Sequence, residues 1–251
     1  MPLFLRSILA FSLLCANLAF AQGATVAVAA NMKETFTEIA TAFKSTGKPE
    51  MRVVYGSSGN FAAQIINGAP FNLLIAADEH FPLELYKKGK AVDEGAIYAQ
   101  GKLALIARTN SGIVLVGNKA ELAKIITKAN KVAIAKPELA PYGKAAVQFL
   151  KSEGLWDLAK DKLVYGDNIG VATTYVVAGA AEIGFTAFSL ARSPEVSKDT
   201  NLILLDPKLY EPIRQRMVLV KGAPQEAKDL YQFMQGEQGK AILVRHGYAI
   251  P

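Results

Sequence analysis

Short apolar segments alternate with amphipathic ones along the chain from residue 24 onward. Runs rich in alanine and β-branched residues, such as Thr25–Ala29, have the length and composition of buried strands. In the segments between them, apolar residues recur at intervals of three and four, as in helices. Asn31 and Glu34 have the spacing of a capping box, which predicts a helix start, and Gly47 predicts the end of that helix. The alternation predicts an α/β protein with parallel strands.

The pattern continues in the same form to the end of the chain. Strands are predicted at residues 25–29, 51–55, 71–76, 102–107, 131–135, 163–165, 183–188, 202–205 and 216–220. Besides the helix after Asn31, helices are predicted at residues 60–66, 143–152, 171–178, 225–235 and 237–246. No low-complexity tract or Gly/Ser linker divides the chain. We therefore expect two α/β lobes, each a mainly parallel sheet flanked by helices, with a ligand cleft between them.

The N-terminal 21 residues have the pattern of a signal peptide. Arg6 precedes an apolar run at residues 8–18, and Ala19, Phe20 and Ala21 form a small-x-small cleavage site. The apolar run is shorter than the ~20 residues that span a bilayer, which favours cleavage over a retained anchor. Cleavage removes Cys15, the only cysteine of the chain. We expect an exported protein, which in a Gram-negative cell is periplasmic.

Composition excludes several classes of function. His80 and His246 are the only histidines, too few with one cysteine for a structural zinc site or an iron–sulfur cluster. The chain has 28 basic and 22 acidic residues and a net charge of +6. Its lysines are scattered over predicted helix faces rather than gathered in a basic arm, so no nucleic-acid partner is expected. No cofactor is expected either.

Four loops share one design, in which an apolar strand is followed by small or neutral residues and then by a helix. They contain Asn31, Ser57 with Ser58, Tyr142 and Ile169. Ligands of open α/β sheets bind at the carboxyl ends of strands, and helix N-termini offer free N–H groups and a partial positive charge. Neutral donors suit a small anion that carries no proton. Read singly, Asn31 also fits a helix cap and Tyr142 a packed loop residue, and Ile169 could contribute only its backbone N–H.

The mature sequence resembles the periplasmic molybdate/tungstate-binding components of ABC transporters. The resemblance rests on the order and spacing of residues 25–32, 56–59, 64–70, 74–78, 136–138, 140–143, 166–170 and 236–248. It implies the two-lobed periplasmic-binding-protein fold of type II. It also implies a function, the capture of molybdate, and of tungstate, for delivery to a membrane permease.

The resemblance implies four ligand-binding residues, which are Asn31, Ser58, Tyr142 and, through its N–H, Ile169. They would contact the oxygens of molybdate and would not ligate the metal directly. Some members of the family place a tyrosine hydroxyl where this chain has Ala187, and those members have a small residue where Tyr142 stands. Tyr142 is therefore expected to supply the missing hydroxyl.

The same resemblance sets the expected organisation of the chain. Residues 1–21 are the signal peptide, residues 22–104 and 218–251 form the first lobe, and residues 105–217 form the second. The chain would cross between the lobes near Ala104 and near Met217. We expect a monomer that closes on its ligand.

Two other functions compete with this interpretation. A protein of the same build could bind sulfate, phosphate or a small organic anion, and the carboxylate of Asp167 would accept the proton of a hydrogen phosphate if it reached the cleft. A cleft hydrolase is the alternative of a different class. The chain has no G-x-S-x-G elbow, phosphate-binding loop or dinucleotide-binding motif, and its histidines lie outside the donor loops, so no enzyme is expected.

Overall fold

A computed structural model describes residues 23–251 and contains two five-stranded sheets. The expected signal peptide, residues 1–21, lies outside the described residues. The strands are β1 Thr25–Ala29, β2 Arg52–Gly56, β3 Leu73–Ile75, β4 Ala96–Gly101, β5 Leu103–Arg108, β6 Val132–Ala135, β7 Leu163–Gly166, β8 Ile183–Ala187, β9 Thr200–Leu204 and β10 Ile213–Leu219. The helices are α1 Lys33–Ser45, α2 Ser58–Ile66, α3 His80–Lys87, α4 Lys119–Lys128, α5 Pro141–Ser152, α6 Trp156–Ala159, α7 Ile169–Val177, α8 Phe188–Ala191, α9 Pro194–Ser197, α10 Gln225–Gln235 and α11 Glu237–Arg245. Four short 3-10 helices complete the described elements, at Ala30–Met32, Thr109–Ser111, Lys160–Lys162 and Pro207–Leu209.

Each sheet is the centre of one lobe. The first sheet has the strand order β2-β1-β3-β10-β4 and the second the order β7-β6-β8-β5-β9. Strand β1 runs parallel to β2 and β3, whereas β10 pairs antiparallel with both of its neighbours. In the second sheet β6 runs parallel to β7 and β8, and β5 is the antiparallel strand. The structure confirms the predicted two-lobed α/β architecture, with mixed sheets in which four of the five strands run in the same direction.

The antiparallel strand of each sheet is the one that the chain enters after crossing between lobes. The first crossing is at Lys102, between β4 and β5, close to the predicted position. The second lies within residues 205–212, between β9 and β10, and not near Met217. A boundary between residues 217 and 218 would divide β10, all of which pairs with β3 and β4. The hydrophobic pattern predicted this strand at residues 216–220, because the first residues of β10 alternate between buried and exposed positions and form no continuous apolar run.

The sequence patterns missed two elements of the first lobe. Strand β4 lies at the sheet edge and includes Gln100 and Gly101, so it lacks the continuous apolar character of a buried strand. Helix α3 has a proline within its first turn and buries only Pro82 and Leu85. Both elements are specified more by tertiary packing than by local pattern.

The two lobes are packed against each other along the carboxyl ends of their parallel strands. The hydrophobic cluster of the second lobe, which includes Tyr142 and Ile169, continues into the first lobe through Ala29, Ala30 and Ala77. All five of these residues are at most 7% exposed. The structure therefore has the lobes closed. Within residues 23–251, no helix has the length and apolar character needed to cross a membrane.

Candidate functional site

A small cavity lies between the lobes where the four predicted loops meet. Its volume for a water-sized sphere is about 10 Å³, the space of roughly one water molecule. The described residues that line it are Ala29, Ala30, Asn31, Gly56, Ser57, Ser58, Ala77, Ala140, Pro141, Tyr142, Asn168 and Ile169. None of them carries a charge. The structure thus brings all four predicted residues to one cavity, while their contact with a ligand stays a prediction.

Ser58 is the first residue of α2 and is fully buried. The preceding Ser57 caps the helix, its Oγ accepting the N–H of Asn60 at 3.4 Å. The Oγ of Ser58 accepts the backbone N–H of Ala77 at 2.9 Å. Since a hydroxyl has one proton to donate, this bond leaves the proton of Ser58 available to a ligand.

Tyr142 enters the cavity from the second lobe, in the first turn of α5. Pro141 at the first helical position sets the backbone for the helix start. The Tyr142 Oη accepts the Nε2–H of Gln215 at 3.0 Å, and the side chain is 1% exposed. Burial raises the pKa of the Tyr142 phenol well above its ordinary value. The hydroxyl is therefore protonated at neutral pH, with its proton available as a donor.

Glycine at position 101 makes room for this arrangement. A Cβ there would lie 2.0 Å from the Tyr142 Oη and 2.6 Å from the Gln215 Nε2. Any larger residue would displace the hydroxyl. Gly101 is the last residue of β4, directly before the first crossing.

Asn31 does not cap α1, which corrects the capping-box prediction. It lies in the 3-10 helix Ala30–Met32, and α1 begins without a side-chain cap. Its Nδ2 donates to the Gln215 Oε1 at 3.0 Å and to the Tyr248 Oη at 2.9 Å. Its Oδ1 is buried and has no hydrogen-bond partner. In this arrangement the side-chain amide that was predicted to be a donor offers the site an acceptor.

Ile169 is the first residue of α7, and its side chain packs into the core of the second lobe. Asn168 caps this helix by accepting the N–H of Val171 at 3.1 Å. The N–H of a first helical residue has no partner within its helix, and the N-terminus carries about half a positive charge. Ile169 can therefore offer an anion a backbone donor, while its side chain only packs.

The carboxylates near the loops do not line the cavity. Asp167 is exposed and pairs with Lys136 at 2.5 Å. Asp78 accepts the N–H of Phe81 at 3.3 Å, and burial raises its pKa to about 6. His246 faces Glu38, at 2.7 Å. Among residues 23–251, no group of three or more His, Cys, Asp or Glu side chains is placed to hold a metal ion.

Ala187 is fully buried at the end of β8 and does not line the cavity. The neighbouring Thr186 hydroxyl lies 2.6 Å from that of Thr173 on α7. Tyr142 is accordingly the tyrosine whose side chain lines the cavity in the described part of the chain. That Tyr142 supplies the hydroxyl that Ala187 lacks stays a prediction.

Sequence reasoning missed Gln215 and Tyr248, whose side chains bond to residues that line the cavity. Gln215 lies on β10 and is fully buried, although its neighbours in the strand are exposed or half-buried. A polar residue at an inward position of an alternating strand was the signal available. Tyr248 gives no such signal, because it follows the last helix in an irregular segment. Its hydroxyl lies within 3.0 Å of both the Asn31 carbonyl and the Ser189 Oγ.

Several contacts close the lobes around the cavity. The N–H of Gly59 donates to the carbonyl of Leu139 at 3.0 Å, which joins α2 to the loop before α5. On the other side, the Ser189 Oγ donates to the Asn31 carbonyl at 2.9 Å. The cavity is thus enclosed by bonds between backbone and neutral side chains of both lobes.

Comparisons with known proteins identify the family and the fold. The family model described as "Bacterial extracellular solute-binding protein" matches residues 24–249. The molybdate-binding protein ModA of Azotobacter vinelandii is 37% identical over 238 residues, which cover 90% of this chain and 89% of the relative. The ModA of Rhodobacter capsulatus is 33% identical over 226 residues, covering 88% and 86%. Among solved structures, the periplasmic molybdate-binding protein of Azotobacter vinelandii has a TM-score of 0.81 at 32% identity and covers 91% of this chain and 99% of its own. This chain belongs to the family of bacterial extracellular solute-binding proteins.

Proposed function

We propose that this protein binds molybdate, and tungstate, in the cavity between its lobes and delivers it to the permease of an ABC transporter. One observation carries the proposal. The cavity is lined without a charged side chain, and the Ser58 and Tyr142 hydroxyls each accept an internal hydrogen bond, so that both protons are left for the ligand. An oxyanion without protons only accepts hydrogen bonds and matches such donors.

The donors come from both lobes. Ser58 and the first-lobe backbone lie on one side of the cavity, and Tyr142 with the N–H of Ile169 lies on the other. An anion therefore collects all of its donors only when the lobes are together, and binding favours the closed form over an open one. The closed pair of lobes is the form that we expect the permease to recognise.

The signal-peptide pattern of residues 1–21 supports export to the periplasm. The cavity residues include no nucleophile paired with a base, which supports transport binding without catalysis. The relatives named as molybdate-binding proteins support molybdate over other anions.

A second candidate ligand is an anion that carries a proton, such as hydrogen phosphate. The observation that favours it is the unpartnered Oδ1 of Asn31, which would accept that proton. For molybdate, the anion would have to lie away from Oδ1, because turning the Asn31 amide over would place Oδ1 against the Gln215 Oε1, a second acceptor. Asp167 does not provide a second acceptor, because it is paired with Lys136 outside the cavity.

Calorimetric titration of residues 22–251 with molybdate, tungstate, sulfate and phosphate, at matched pH and ionic strength, tests the proposal. We expect tight one-to-one binding of molybdate and tungstate, and weak or absent binding of sulfate and phosphate. Thermal unfolding gives an independent reading, because a ligand at 100 times its Kd stabilises the fold by about 2.7 kcal/mol. Preferential phosphate binding would establish the second candidate, and no binding of any of the four would refute an oxyanion site.

A further inference from the structure

The side-chain amide of Gln215 connects the binding residues of the two lobes. Its Nε2 donates to the Tyr142 Oη at 3.0 Å, and its Oε1 accepts from the Asn31 Nδ2 at 3.0 Å. The same Oε1 lies 2.8 Å from the Tyr98 Oη. Gln215 is fully buried but does not line the cavity. It can therefore affect a ligand only through its neighbours.

The direction of these bonds determines which atoms face the ligand. A carbonyl oxygen accepts and an amide nitrogen donates, so Oε1 is held toward the Asn31 donor and Nε2 toward Tyr142. The Tyr98 hydroxyl shares its one proton between this Oε1 and the Ala76 carbonyl, both at 2.8 Å. A phenol oxygen that accepts from Nε2 directs its own proton elsewhere. With the opposite orientation of Gln215, Tyr142 would donate its proton to Oε1 and would present only an acceptor to the cavity.

We infer that Gln215 is a positioning residue that makes the Tyr142 hydroxyl a donor to the bound anion. The inference rests on the proposed function, since it assumes an oxyanion in this cavity. Glycine at position 101 is consistent with this role of Gln215, because a Cβ there would lie 2.0 Å from the Tyr142 Oη and would displace the hydroxyl. Gln215 of the first lobe thus determines whether the Tyr142 hydroxyl of the second lobe faces the ligand as a donor or as an acceptor.

A double-mutant cycle tests this role. Gln215→Met keeps an unbranched buried side chain but removes the amide, and Tyr142→Phe removes the hydroxyl. Molybdate Kd values are measured by calorimetry for wild type, both single variants and the double variant. We expect Gln215→Met to raise the Kd about twofold to twelvefold in the wild-type background, the range of one net hydrogen bond. In the Tyr142→Phe background its effect should be at least about threefold smaller, because the group on which it acts is gone.

Two further variants separate positioning from packing. Gln215→Glu keeps the size and shape of the side chain but only accepts, so it would take the Tyr142 proton; its effect should also shrink in the Tyr142→Phe background. Tyr98→Phe removes a contact to the same Gln215 oxygen without touching Tyr142. Because Tyr98 contacts the oxygen that orients the Gln215 amide, the effect of Tyr98→Phe on Kd should be smaller than that of Gln215→Met and should also shrink in the Tyr142→Phe background. Unfolding of each variant without ligand reports the packing cost, which has no reason to depend on the anion.

The outcomes distinguish the two proposals. If wild type binds molybdate and the Gln215 effects are equal in both Tyr142 backgrounds, Gln215 only packs and this inference is wrong. If wild type does not bind molybdate, the proposed ligand is wrong, and the cycle is run with whichever oxyanion of the titration panel binds. If no oxyanion binds, both proposals are refuted.

Discussion

The contact between Gly59 and Leu139 gives a direct test of lobe closure. Gly59 is the second residue of α2 in the first lobe, and Leu139 precedes α5 in the second. A Cβ on Gly59 would lie 3.0 Å from the Cα and 3.1 Å from the carbonyl oxygen of Leu139. It would also lie 2.8 Å from the end of the Phe81 ring, a side chain of the first lobe. Gly59→Ala therefore presses a methyl group against the backbone of Leu139 across the lobe interface.

The cost should fall mainly on the closed form. Overpacking of this kind costs about 1–3 kcal/mol, which raises a Kd about fivefold to 150-fold. If the lobes open without ligand, the Leu139 contact is absent and only Phe81 must adjust. Alanine is also the better helix former by about 1 kcal/mol, so unfolding of the ligand-free protein should be little affected.

Calorimetry with molybdate and X-ray scattering with and without ligand measure the two effects. We expect a weaker Kd for Gly59→Ala and a smaller ligand-induced decrease in the radius of gyration. Gly117→Ala is the matched control, since Gly117 also lies outside the left-handed region and a Cβ there would contact nothing within 4 Å. An unchanged Kd in Gly59→Ala, with normal stability, would show that the bound form does not have this interface.

Three further predictions concern single side chains. Ser58→Ala should raise the molybdate Kd measured by calorimetry about tenfold to 150-fold, because it removes a hydrogen bond to an anion. It should also lower the free energy of unfolding by about 1–3 kcal/mol, because the N–H of Ala77 loses its acceptor. An unchanged Kd would exclude Ser58 from the site. Burial raises the pKa of Asp78 to about 6, so the folded protein binds this proton more tightly than the unfolded chain, and the stability that Asp78 contributes falls as pH rises from about 4 to 6. Asp78→Asn should match wild type in denaturant unfolding at pH 4 and exceed it by up to about 3 kcal/mol at pH 7, and a constant difference would contradict the raised pKa. Glu195→Gln breaks the exposed ion pair with Lys33 across the lobes, at 3.3 Å, and should change the Kd less than about fivefold, since such pairs contribute about 0–1 kcal/mol.

The sequence predicted best where local pattern and burial agree. Strand β1 has the predicted bounds, Thr25–Ala29, because its apolar run lies between β2 and β3 in the first sheet and is buried along nearly all of its length. Helix α10, Gln225–Gln235, was also placed correctly, since its apolar residues recur on one face. The loops that carry Asn31, Ser58, Tyr142 and Ile169 could be found because each lies between a strand and a helix.

What could not be predicted depends on contacts between distant parts of the chain. The bond partners of Asn31 are 184 and 217 residues away, and no local spacing distinguishes a helix cap from a side chain held by Gln215 and Tyr248. The second crossing was misplaced for the same reason, because pairing with β3 and β4 decides the lobe to which β10 belongs. Local pattern identified the loops of the site, whereas the directions of its hydrogen bonds follow from tertiary structure.

The strands that contain Gly101 and Gln215, β4 and β10, are also the strands next to the two crossings between the lobes. Gly101 precedes the first crossing directly, and Gln215 lies near the start of the strand that follows the second. The two crossings are bonded to each other, since the N–H of Leu103 donates to the Tyr210 Oη at 3.0 Å. The bond from Gln215 to Tyr142, in contrast, joins a first-lobe strand to a second-lobe helix. This bond joins the lobes in the closed structure, so we expect closure and the orientation of the Tyr142 hydroxyl toward the anion to occur together.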